Sequence, residues 1–68
     1  MTRVALIGLG EVGRVFVEDL RTAGIRDLSA WDTAFTDESS RASRNAAELG
    51  VARAGSAPAA VRGADLVV

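Results

Sequence analysis

Gly8, Gly10 and Gly13 stand at spacings of two and three in Gly8-Leu9-Gly10-Glu11-Val12-Gly13, and Asp32 follows 19 residues after the last of them. Glycine loses more backbone entropy on folding than any other residue, so three in one short segment answer a demand that side chains would defeat. The string G-x-G-x-x-G is common by chance, and its setting decides what it means. Here it follows the apolar run Val4-Ala5-Leu6-Ile7 and opens an amphipathic stretch. At a strand-to-helix junction each glycine has its own task. Gly8 allows a tight exit from the strand, Gly10 keeps a Cβ from between the backbone and a diphosphate, and Gly13 lets the helix pack closely on the sheet. The N–H groups of the first helical turn, with the positive end of the helix dipole, attract the anion. Gly8, Leu9, Gly10, Glu11, Val12 and Gly13 therefore form the predicted cofactor-binding loop.

Asp32 completes the pattern. A carboxylate at the end of the second strand accepts hydrogen bonds from the adenosine ribose hydroxyls and repels a 2′-phosphate, so NAD is favoured over NADP. Arg41 and Arg44 bear on the same choice, since a loop folded back could bring either to a 2′-phosphate. The plainer reading leaves them solvated and paired locally, behind Asp37 and Glu38. Glu11 suits the helix dipole and is expected to face solvent. Trp31 has two readings, a border for the adenine or part of the core. Ser56 likewise could face the adenine-side crevice, but is read first as a helix cap.

The elements that must position these residues can be followed along the chain. Arg3 to Ile7 is apolar without alternation, the mark of a strand covered on both faces. From Glu11 to Ala23 the period becomes helical, with Val12, Val15, Phe16, Leu20 and Ala23 as the predicted inner face and Gly24 as the stop. Asp27 to Asp32 reads as a second strand and Thr33 to Ser39 as a polar turn. A second helix is expected from about Ser40 to Leu49, with Ala42, Ala46 and Leu49 inward and Gly50 closing it. Val51 to Ala54 is a short third strand. Ser56 caps a brief helix, Ala57 to Arg62, with Pro58 in its first turn. Asp65 to Val68 is a fourth strand. This alternation predicts an α/β fold, a Rossmann-type parallel sheet with helices on both faces. Because Val68 falls inside the fourth strand, the 68 residues read as the N-terminal part of such a domain, truncated after that strand, in a longer protein.

Composition narrows the setting. All eight basic residues are Arg, scattered singly, against nine acidic residues, and the net charge is -1. No basic stripe suits a nucleic-acid backbone. The chain has no Cys and no His, which removes disulfides and the usual metal ligands as staples. No apolar run is long enough for a membrane span, and Glu11 interrupts the first one too early for a secretory signal. The expected setting is the cytoplasm.

The segment Val4-Ala5-Leu6-Ile7-Gly8-Leu9-Gly10-Glu11-Val12-Gly13, together with Ala64-Asp65-Leu66-Val67-Val68, resembles the start of the 6-phosphogluconate dehydrogenase and 3-hydroxyisobutyrate dehydrogenase superfamily. The resemblance implies a Rossmann domain followed by a helical domain, usually in a homodimer, that oxidises a small hydroxy acid with NAD or NADP. Gly8, Gly10, Gly13 and Asp32 match its cofactor positions. Its acid/base is a lysine of the second domain, and this chain contains no Lys, so the 68 residues alone are expected to be catalytically inactive. NADP-using members commonly carry Asn-Arg at the end of the second strand, where this chain has Asp32-Thr33. A nucleotide-sensing regulatory module and an imine-type reductase are the competing expectations.

Overall fold

Strand alternation sorts the side chains of this fold before any helix is considered. In the computed structural model, which describes residues 2–68, β1 (Arg3–Ile7) pairs in parallel with β2 (Asp27–Trp31) from Arg3 opposite Asp27 to Ile7 opposite Trp31. Successive residues of a strand point to opposite faces. Val4 and Leu6 of β1, with Leu28 and Ala30 of β2, belong to the main buried cluster. Ala5 and Ser29 occupy the other face, where Ser29 Oγ donates to the carbonyl of Ala60 at 3.2 Å.

The helices follow this division. The main cluster takes in Val17 from α1 (Glu11–Thr22) and Ala42 and Ala46 from α2 (Arg41–Leu49). The opposite face holds α3 (Ala57–Val61), and the small residues Ala5, Ser29 and Ala60 keep it close to the strands. Two short strands complete the sheet. β3 (Ala52–Arg53) pairs with β2 and β4 (Leu66–Val67) with β1, both in parallel. The order is β3-β2-β1-β4, and every strand runs the same way. This is the expected α/β architecture, with the strand order 3-2-1-4 of a Rossmann-type sheet. Backbone bonds from Asp65 to Arg3, from Val68 to Ala5 and from Ala54 to Ala30 carry the pairing to the ends of the predicted short strands. Among the described residues no helix is long and apolar enough to cross a membrane.

Local chemistry ends each helix. Ile25 N–H donates to Leu20 and Gly24 N–H to Arg21, a Schellman closure of α1. Ser40 caps α2 by accepting from Ser43 N–H at 3.1 Å, while its own hydroxyl donates to the carbonyl of Ala34 at 2.8 Å. Ser56 caps α3, as expected, by accepting from Ala59 N–H. Replacing Ser40 with alanine removes these two bonds and the 3.1 Å contact of its hydroxyl with Ser43 Oγ. It should lower stability by about 1 kcal/mol, read as a lower urea midpoint with unchanged slope.

Two expectations are corrected. Thr33 to Ser39 is not simply a polar turn: Thr33–Thr36 forms a 3₁₀ helix that buries Phe35 in the main cluster, with the Arg53 guanidinium 4.7 Å from its ring centroid. The inner face of α1 is also different. Leu20 packs on the core as expected, but Val12, Val15, Phe16 and Ala23 are exposed, and Gly13 and Val17 face the sheet in their place. The cause is the approach of Gly13 to β1. Once Gly13 faces inward, Val17 and Leu20 share its side at spacings of four and seven. Val12 and Phe16 are left on the flank.

Candidate functional site at the opening of the first helix

The chain leaves β1 at Gly8, whose N–H still donates to the carbonyl of Trp31 at 2.8 Å and whose φ of +104° turns the backbone out of the sheet. Few L-residues adopt that angle, so the exit requires glycine. Five residues further on, the helix backbone passes so close that a Cβ on Gly13 would stand 2.5 Å from the Gly8 carbonyl oxygen. A Cβ on Gly10, by contrast, would meet no heavy atom within 4 Å. The first glycine serves the turn and the third the helix-to-strand packing, while the second has open space in front of its backbone.

Leu9 is fully buried, and its N–H donates to Asp32 Oδ2 at 2.8 Å. The loop's remaining donors are free. Gly10 lies at the N-cap of α1 without a side-chain cap bond. Among the described residues, the N–H groups of Gly10, Glu11, Val12 and Gly13 find no acceptor in the chain, whereas Arg14 N–H closes the first helical bond on Gly10. Four unpaired donors at the positive end of a helix dipole make an anion-binding corner. They border a crevice of about 390 Å³ between Gly8, Gly10, Gly13 and the apolar side chains of Ile7, Val12, Phe16 and Val68. The crevice opens where β1 and β4 end side by side, at the point where the strand order reverses.

Asp32 sits beside the loop, as its spacing predicted, and has a structural task that the spacing did not announce. Oδ2 accepts from Leu9 N–H and Oδ1 from Ala34 N–H, each at 2.8 Å, so one carboxylate ties the glycine loop to the 3₁₀ turn. A carboxylate has about four lone-pair sites, and this arrangement uses one on each oxygen.

Glu11 is exposed, as expected, and pairs with Arg41 across the two helices. Both side chains are well solvated, so the pair adds little stability. It does set a positive charge against the one acid of the first turn. Arg41 thus finds its partner on α1 rather than on Asp37 or Glu38. Trp31 packs against the main cluster.

The residue that sequence reasoning missed is Asn45. It is buried on α2, donates through Nδ2 to the carbonyl of Leu9 at 2.9 Å, and accepts at Oδ1 from Arg14 Nη1 at 2.8 Å. Arg14 also donates to Glu48 at 2.6 Å. That hydrogen bond first, and the guanidinium charge second, hold the Glu48 carboxyl below the usual carboxylate range. No local pattern separates Asn45 from a solvated helix residue. Its partners lie 31 and 36 positions away.

Fold and corner together define a Rossmann-like βαβαβ unit extended by a fourth parallel strand. Comparisons with protein-family models, with curated proteins and with solved structures yield no match.

Proposed function

We propose that this chain holds the diphosphate of a dinucleotide at the start of α1, with NAD preferred to NADP. The observation that carries the reading is the group of four unpaired N–H donors, from Gly10 to Gly13, beside open space at Gly10, where an added Cβ would meet no protein atom within 4 Å. Gly8 and Gly13 shape the corner, and Asp32 offers its remaining lone pairs to the ribose hydroxyls. The negative charge of Asp32 opposes a 2′-phosphate, and the engagement of Arg41 with Glu11 draws off one cation that could have received it.

By the resemblance of its glycine segment, the chain is the cofactor-binding part of an oxidoreductase that works on a small hydroxy acid, as a homodimer in the cytoplasm. NAD would supply the hydride acceptor. This chain's residues would bind and orient it, and the proton-transfer group would come from elsewhere, since there is no Lys or His here. An ordinary cofactor titration tests the reading: NAD should bind more tightly than NADP. Asp32→Asn keeps the shape of the side chain, removes its charge and turns one of its two accepting oxygens into a donor, a cost to the loop common to both cofactors; the NAD-to-NADP preference should still narrow about tenfold, the size of one charge-assisted hydrogen bond. An unchanged ratio of the two dissociation constants would count against Asp32 as the ribose acid.

A further inference from the structure

Asn45 is only 5% exposed, and α2 otherwise turns small residues inward: Ala42, Ser43 and Ala46. A buried amide must be hydrogen-bonded to be tolerated, and this one is bonded at both ends. The Nδ2 group lies 2.9 Å from the Leu9 carbonyl oxygen and 3.4 Å from that of Gly10. Arg14 can only donate, so its bond to Oδ1 fixes which end of the amide faces the loop.

The consequence follows from peptide geometry. No peptide bond in the described chain is cis, and in a trans unit the carbonyl and the N–H point in opposite directions. The Leu9 carbonyl shares its unit with the N–H of Gly10, and the Gly10 carbonyl shares its unit with the N–H of Glu11. A side chain that draws both carbonyls toward α2 turns both N–H groups the other way. Gly10 lines the apolar crevice, Glu11 lines both that crevice and the polar groove between α1 and α2, and Asn45 borders the polar groove alone.

We infer that Asn45 is a positioning residue, which presets the Gly10 and Glu11 amides toward a bound anion while Arg14 holds its own amide in the required orientation. Arg14 N–H already holds the Gly10 carbonyl at 2.9 Å, and Asn45 adds the constraint on the Leu9–Gly10 unit, removing freedom that binding would otherwise have to remove. The inference deepens the diphosphate reading and rests on it for the identity of the anion. The direction of the amides can be tested without that reading.

The experiment compares the intact protein with Asn45→Leu, which is close in volume, neutral and unable to donate. Titration with NAD should show about a tenfold loss, the size of about one net hydrogen bond, while adenosine, which has no phosphate, should bind as before. In the ligand-free state the Gly10 and Glu11 amide resonances should shift or broaden, with those of β1 and β2 unmoved. Equal NAD affinity, or an equal loss for NAD and adenosine, would overturn the positioning role. Wild-type protein gives a check that needs no variant to fold: the Asn45 side-chain amide protons should exchange slowly with solvent, and fast exchange would refute the clamp. If wild type binds neither NAD nor adenosine, the diphosphate reading fails, and the amide resonances still decide whether Asn45 orients the loop.

Discussion

Replacing Gly13 with alanine should lower stability by about 2 kcal/mol, even though alanine is the better helix former. An alanine inside a helix ordinarily gains about 1 kcal/mol over glycine. Here the added Cβ would stand 2.5 Å from the Gly8 oxygen and 3.3 Å from the Gly8 carbonyl carbon. Both are backbone atoms at the end of a paired strand, so no rotamer change relieves the clash, and α1 or the exit of β1 must move. Overpacking of this kind costs about 1–3 kcal/mol, and a backbone obstacle puts the cost at or above the top of that range. For a chain of 68 residues, whose whole stability is on the order of 3–10 kcal/mol, the loss is a large share. Urea denaturation reads it directly as a lower midpoint. A midpoint equal to wild type would mean that the helix does not approach β1 this closely, and the rotation of α1 described above would fall with it.

That rotation also shows how far the sequence could be read. The strands and helices were legible because most have their own period or end signal, from the unbroken apolar run of Val4 to Ile7 to the glycine stop at Gly50 and the cap at Ser56. The corner itself was legible too, since glycine spacing and strand-to-helix context are local properties. The inward face of α1 was not. Val12, Val15 and Phe16 are more apolar than Gly13, and a count of apolar positions turns the helix toward them. The decisive contact, between the Gly13 backbone and Gly8, carries no hydrophobic signal at all. Phe35 was hidden for a related reason: one aromatic residue among threonines and acids makes no period, and only the 3₁₀ turn capped by Asp32 delivers it to the core. Asn45 and the bonds of Asp32 to backbone amides depend on tertiary neighbours, which spacing along the chain does not encode.

Gly10 offers the sharpest separation of function from folding, because its Cβ position meets no protein atom. Valine there should lower NAD affinity by about 2–3 kcal/mol, a factor of roughly 30 to 150, by filling the space in front of the free amides of α1. The fold should lose no more than about 1 kcal/mol, since φ at this position is -80°, within reach of any residue, and valine is only a poorer N-cap than glycine. Gly10→Val and Gly13→Ala therefore predict opposite patterns, one weak in cofactor and close to normal in urea, the other weak in urea. Structural glycines alone would make both variants lose stability and would leave NAD binding tied to the fraction folded. Titration of folded Gly10→Val separates these cases: undiminished NAD affinity would take the diphosphate away from this loop, and with it the proposed function.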